Sequence, residues 1–495
     1  MRAQPNRPAA KPRQHVLEIV LLVATVAALA CSNEPPGLSW KGDHVIVIVV
    51  DSLRADHLGC YGYSRDTSPN IDRLAAEGIT FDRALSNSSF TRESIATLLT
   101  GQLPSVSGSI GWGARPATGI PILGELFSNA GYATAFLSTT GVLRAPAFSR
   151  GFEHVEHFTE RWDVSGMSHD LSRRALEITS QTSDRPLLLY LHYLDPHGPY
   201  QPPEELHRRF TPEPFQEPLD LYRQVRPKCS QLVASGFGPG EERFEDLVVR
   251  YDAEIADVDR AIADLLAGLD ELGTLDDTLI VFTSDHGEEF LEHDFVEHAW
   301  TLYRESVHVP LIFWSREFPA PMRIEERVAL VDVLPTLLGL LEIPFQPAEL
   351  SGEAVLAADQ GAIRVQPPRK PYFGELLINH RNRVRAVIHQ DWKYVAAERW
   401  LTIEERSQVR QRQKKRGSGE LWRPVVHEEL FHLPTDPQEL QNLAGSKPEE
   451  LARMRSLLSS YRNYTGQISH EPITEELSEI SEAEREALRA LGYLD

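Results

Sequence analysis

Several polar residues stand where apolar runs of this chain stop. Asp51 ends "HVIVIVVD" (44–51), and Asp285 and His286 end "TLIVFTSDH" (278–286). His197 closes "LLLYLHYLDPH" (187–197), and His298 follows further on. Two carboxylates and an imidazole make a donor set for a divalent cation. It suits Zn²⁺ or Mn²⁺, admits Ca²⁺ or Mg²⁺, and selects none of them. A carboxylate at a strand end is costly to desolvate, and a bound cation compensates it. The hydroxyl of Thr91 adds a further chemical group. Thr91 and Arg92 open "TRESIATLLTG" (91–101), which predicts a helix from about Arg92 to Leu99 with Gly101 at its stop. Backbone N–H groups and the helix dipole favour an anion at such an N-terminus. Beside a metal the hydroxyl would lose its proton readily and become a nucleophile. A plainer alternative makes Thr91 a helix cap or first-turn residue, Asp51 the cap of a turn and Asp285 the cap of a helix at "HGEEF".

Positioning these residues requires strands that end together. The run 44–51 is continuously β-branched, as in a strand buried on both faces of a parallel sheet. Further strand-like runs lie at 132–139, 187–197, 278–286 and 309–315, with helical patterns between them. The clearest helix lies within 248–269. There Val248, Tyr251, Ile255, Val258, Ile262, Leu265 and Leu269 form an apolar stripe, and acidic residues fill the other face. Alternating strands and helices predict an α/β fold, in which ligands bind beyond the carboxyl ends of the strands. Composition changes near residue 345. The segments 383–397 and 428–444 read as short antiparallel strands, and the basic stretch 406–416 as a solvated loop. The expected organisation is a signal at 1–31, a tether at 32–43, a catalytic domain at 44–345, a C-terminal subdomain at 346–465 and a tail helix at 466–495.

The chain has 495 residues and a net charge of −22, which excludes a general nucleic-acid binder. Its three cysteines, Cys31, Cys60 and Cys229, form no disulfide framework. Arg2, Arg7, Lys11 and Arg13 precede the apolar run 16–30, the layout of an export signal. "ALAC" resembles a lipoprotein cleavage site with Cys31 as the lipid-bearing residue; an uncleaved anchor and an ordinary cleaved signal are the alternatives. Each places the folded part outside the cytoplasm, at the periplasm or cell surface, and two of the three tether it to a membrane.

The strings "VVDSLRADHLGCYGY", "SPNIDRLAAEGITFDRA", "RESIATLLTG", "HYLDPHGPYQPP", "VFTSDHGEEF" and "TLYRESVHVPLIF" together resemble the sulfatase branch of the alkaline phosphatase superfamily. "VDVLPTLLGL", "DWKYV" and "ELFHLPTDPQELQNLA" extend the likeness, which covers about residues 43–445. The resemblance implies a large α/β domain around a mixed sheet and a small C-terminal antiparallel sheet. It also implies a metal-dependent hydrolase with a covalent intermediate. Asp51, Asp285 and His286 fall on metal positions, and Thr91 on the nucleophile position, next to the metal. His197 falls on a substrate-anion histidine and His298 near another; both are candidate catalytic residues.

The departures are informative. Thr91 stands where sulfatases carry the Cys or Ser that becomes formylglycine, and Thr cannot be converted. Glu93 stands in the family's Pro place and Ile95 in its Arg place. Ser52 and His286 replace an Asp and an Asn. The Lys-x-His segment is missing near 137–146, and Arg92 is the candidate replacement cation. A Thr nucleophile with an Asp–His pair resembles the superfamily's phosphodiesterases and its phosphoglycerol and phosphoethanolamine transferases. The expected activity is therefore ester hydrolysis on an anionic substrate such as a glycan or lipid headgroup, with phosphoesters ahead of sulfate esters. An arylsulfatase-like enzyme, a transferase and an inactive anion-binding member are the alternatives. One ion is expected, or two if His197 and His298 help to hold a second.

Overall fold

The computed structural model describes residues 44–468 except 112, 114, 159–165, 183, 213–235, 319, 347–349, 360–361, 379–381 and 400–424. The signal, the tether, the basic stretch 406–416, Cys31, Cys229 and residues 469–495 of the expected tail lie outside the described residues. Among the described residues no helix is long and apolar enough to cross a membrane.

The β-branched run forms β1 (His44–Val50), the centre of the fold. Parallel neighbours β5 (Leu187–Tyr193) and β6 (Thr278–Ser284) flank it, so its backbone is hydrogen-bonded on both edges. Both faces are covered too. Val45, Val47 and Val49 enter one core, while Ile46, Ile48 and Val50 enter another. That explains the absence of polar alternation in the run.

The remaining strands of this sheet are β2 (Ile79–Leu85), β3 (Ala133–Ser138), β4 (His154–His157), β7 (His308–Val309), β8 (Leu311–Trp314) and β9 (Met322–Ala329). Their order is β9-β2-β8-β6-β1-β5-β3-β4, with β7 paired to β2. The sheet is mixed because β8 runs antiparallel to both β6 and β2. The sequence reading had no strand at β2, whose Asp82 and Arg83 interrupt its apolar pattern; Arg83 is exposed.

Helices α1 (Pro69–Glu77), α2 (Thr91–Thr100), α3 (Met167–Gln181) and α4 (Glu242–Glu271) pack on the sheet's two faces. The stripe expected at 248–269 lies within α4 and is buried, Val248 only partly. Its acidic face is less simple than expected, because Asp252, Glu254 and Asp259 are buried as well. Asp259 accepts bonds from the backbone N–H groups of Asn70 and Ile71 and so caps α1 from a neighbouring helix. Asp252 binds His57, Tyr63 and Arg65.

The second sheet is antiparallel, in the order β10 (Tyr372–Ile378), β11 (Asn382–His389), β12 (Trp392–Arg399), β13 (Val425–His432). Helix α5 (Pro448–Ile468) packs against it and runs past the expected tail boundary at 466. Tyr372, Leu376, Ala386 and Leu430 of this sheet share one apolar core with Val47 of β1 and Leu98 of α2. The change of composition near 345 thus marks a change of architecture within a continuous core.

Candidate metal and nucleophile site

Register brings the first acids together. Val50 of β1 lies opposite Ser284 of the parallel β6, so both strands end at the same level and Asp51 and Asp285 follow side by side. Leaving β1, the chain bends through Ser52, which has φ of 58°. Its amide donates to Asp285 Oδ1 at 3.1 Å, and its hydroxyl to Asp51 Oδ1 at 3.1 Å. No helix begins at "HGEEF", so Asp285 caps none. Its Oδ1 instead also accepts the His286 amide at 2.8 Å.

Thr91 arrives from another element. It is the first residue of α2 and Phe90 occupies the cap position, so Thr91 is a first-turn residue and not the cap itself. Thr91 Oγ1 lies 3.1 Å from His286 Nε2. Ser94, one turn on, fixes that approach by donating to the Asp285 carbonyl at 2.6 Å. Thr91 is only 1% exposed. The physical reason is that α2 is buried along its whole length.

The tautomer of His286 decides what the group can hold. Its Nδ1 faces the Gly287 carbonyl at 3.0 Å and must donate, which leaves the Nε2 lone pair on the other side. That lone pair faces Asp285 Oδ2 at 3.2 Å and Asp51 Oδ1 at 3.8 Å. Acceptors facing acceptors in a buried site repel unless a cation lies among them. Asp285 Oδ2 is buried with no hydrogen-bond partner among the described residues. Asp51, Asp285 and His286 offer ligand atoms within 4.8 Å of one another. The donor set fits a divalent ion. Burial and the like charge of Asp51 push the Asp285 carboxyl up to about 6. Burial opposes ionisation of Asp51 as well, but the hydrogen bond from His192 and, once those rings are protonated, the charges of His197, His192 and His286 hold its carboxyl below the usual range.

His192 was not singled out in the sequence. It lies on β5 beside Val49, fully buried. Its Nε2 donates to Asp51 Oδ2 at 3.2 Å while its Nδ1 faces the Tyr190 hydroxyl at 3.1 Å. A lone polar residue inside "LLLYLHY" was the available signal. Its target depended on strand order, which the string does not encode.

The other expected residues gather nearby. The rings of His286 and His298 are 4.3 Å apart, and those of His298 and His197 4.9 Å. His197 Nδ1 donates to the Gly198 carbonyl at 2.7 Å, and His298 Nδ1 pairs with Glu288 Oε1 at 3.0 Å. In both cases one ring nitrogen is occupied and the ring is oriented. Glu288, which was not singled out, is fully buried and also accepts from the Tyr200 hydroxyl. Arg92 is 2% exposed and donates through Nε to the Val142 carbonyl at 2.8 Å, within the segment 137–146 where Lys-x-His is missing.

Known proteins resemble this chain. Bovine (Bos taurus) arylsulfatase K is 27% identical over 230 residues, which cover 45% of this chain and 38% of that protein. The matched region thus spans well under half the relative's length. Among solved structures, BT4656 in complex with its substrate D-glucosamine-2-N,6-O-disulfate has a TM-score of 0.68 at 18% identity, covering 88% of this chain and all of that one. The phosphonate monoester hydrolase of Agrobacterium radiobacter gives 0.63 at 19% identity, covering 86% of this chain and 96% of that one. At such identities the structures speak for the fold alone. The sulfatase family model matches residues 43–343, which include every site residue named above, and the chain belongs to the sulfatase family.

Proposed function

We propose that this chain is a metal-dependent hydrolase that cleaves phosphate esters, diesters first, through a covalent intermediate on Thr91. One observation carries the reading: a threonine hydroxyl, which cannot become formylglycine, lies 3.1 Å from His286 within the two-carboxylate group. Asp51, Thr91, Asp285 and His286 would hold the ion. When bound it supplies charge neutralisation and a lowered pKa for a coordinated hydroxyl. The imidazole and hydroxyl in this set favour Zn²⁺ or Mn²⁺ over Ca²⁺. A second ion would draw on His197 and His298.

Thr91 Oγ1 attacks phosphorus in line, and the bond from phosphorus to the leaving alcohol breaks. Water then attacks the same phosphorus, the bond to Thr91 Oγ1 breaks, and the hydroxyl is restored. The amides at the start of α2 and the charge of Arg92 favour the anionic group beside Thr91. His197 and His298, oriented through their Nδ1 atoms, hydrogen-bond the ester oxygens and relay the proton that Thr91 gives up to the departing alcohol oxygen; in the second step the attacking water returns a proton to Thr91. Burial keeps bulk water from competing with these groups.

A second reading, sulfate-ester hydrolysis on an anionic glycan, uses the same residues. It is favoured by the names of the relatives, an arylsulfatase and a protein whose substrate is a disulfated glucosamine. The N-terminal run supports export of either activity, with a membrane tether in two of its three readings.

The test is a parallel assay of the purified chain, supplied with Zn²⁺ or Mn²⁺, on 4-nitrophenyl sulfate, 4-nitrophenyl phosphate and bis(4-nitrophenyl) phosphate. The diester should give the highest kcat/KM. A highest value on the sulfate reverses the order of the two readings. No turnover of any of the three contradicts hydrolysis and leaves an anion-binding protein.

A further inference from the structure

Glu93 occupies the first turn of α2, two residues after Thr91, and is fully buried. It does not face the group formed by Asp51, Asp285 and His286; its bonds go to two loops. Oε1 accepts the Gly111 amide at 2.6 Å, and Oε2 accepts the Ser88 hydroxyl at 2.6 Å. The second bond has a directional consequence. A serine hydroxyl has one hydrogen, and Glu93 takes it, so the lone pairs of Ser88 Oγ are left for other donors. One of them receives the Phe90 amide at 3.2 Å. Phe90 immediately precedes Thr91. A chain of two hydrogen bonds therefore runs from the Glu93 carboxylate through Ser88 to the peptide that leads into the proposed nucleophile.

The loop held in this way is also gripped from the C-terminal sheet. The Glu375 amide on β10 donates to the Asn87 carbonyl at 2.8 Å, and Asn87 Nδ2 donates to the Phe373 carbonyl at 2.8 Å. On its other side Ser89 receives the amide of Ala299, next to His298, at 2.9 Å. The loop before Thr91 thus joins three parts: the nucleophile helix, the His298 segment and the C-terminal sheet. Glu93 is bonded into it from α2 through Ser88.

We infer that Glu93 is a positioning residue that sets the Thr91 hydroxyl through Ser88 and the Phe90 amide, with the C-terminal sheet as the outer support of that loop. The inference rests on Thr91 being the nucleophile. A displacement of about 1 Å at a reacting atom costs on the order of 100-fold in rate, so a bond remote from substrate can govern kcat. Residues that act along one chain also give non-additive losses.

The experiment measures kcat and KM for wild type, Thr91→Ala, Ser88→Ala, Glu93→Gln, Glu93→Ala and the double variant Ser88→Ala/Glu93→Ala, on whichever of the three aryl esters wild type turns over. Circular dichroism establishes which variants fold. Ser88→Ala, which keeps the Gly111 bond, should lower kcat about 10-fold with KM within about 3-fold. Glu93→Ala should lower kcat about 100-fold, Glu93→Gln should recover part of that loss, and the double variant should lose no more than Glu93→Ala alone. If Glu93→Ala fails to fold, Ser88→Ala decides alone. Full kcat in Ser88→Ala, or additive losses in the double variant, would overturn the inference while an inactive Thr91→Ala left the nucleophile in place. An active Thr91→Ala would instead remove the reading on which the inference rests.

Discussion

The proposed function turns on Thr91, whose side chain cannot become formylglycine, and on the groups around it. His286 presents an imidazole lone pair to two carboxylates, an arrangement that makes physical sense around a cation. Thr91→Ala should therefore lower kcat by about 10³-fold or more while leaving circular dichroism and the melting transition unchanged, and Thr91→Ser should keep a measurable rate. His192 acts at one remove, since its N–H fixes Asp51 Oδ2. His192→Ala should weaken metal binding about 10–100-fold in a calorimetric titration. An unchanged affinity would reduce His192 to a packing residue. The members of this group were legible in the sequence because Asp51, Asp285 and His286 end apolar runs, where a polar residue needs a reason. His192 and Glu288 were not, because each acts through a partner that only strand order and loop path bring near.

Among the elements, the turn after β1 carries a charge network of its own. Arg54 pairs with Asp56 at 2.9 Å through Nε and donates to the Glu288 carbonyl at 3.0 Å, so the turn that follows Asp51 is tied to the segment that follows His286. Burial alone would raise the Asp56 carboxyl, but the charge of Arg54 outweighs it and holds the group far below its ordinary value. The sign follows. The folded carboxyl is more acidic than the unfolded one, so its stabilisation is complete above about pH 4 and declines as pH falls further. Thermal melts of Asp56→Asn and wild type should differ most at pH 7, with the gap narrowing toward pH 3; a gap independent of pH would contradict this. Element type was readable where the pattern was unbroken, as in β1, β6 and the stripe of α4. It was not readable at β2, where Asp82 and Arg83 break the pattern, nor for the buried acids of α4, whose partners lie on distant segments.

For the whole molecule, the second sheet is part of the core that supports α2. One buried ion pair makes the same connection: Lys393 Nζ on β12 binds Glu439 at 2.6 Å and the Leu302 carbonyl, in the large domain, at 2.6 Å. Lys393→Ala leaves Glu439 buried and uncompensated, and should cost about 3–5 kcal/mol in denaturant unfolding. The sequence marked this sheet by its change of composition near 345, but a shared core leaves no local trace, because Leu376 or Leu430 reads the same whichever face it meets. Metal uptake tests the central claim most directly, since it needs no knowledge of the substrate. After incubation with Zn²⁺ or Mn²⁺ and removal of free ion, wild type should retain about one equivalent or more per chain, and Asp285→Ala should lose the ion held with Thr91. Equal metal content in the two proteins, or none in wild type, would contradict the account.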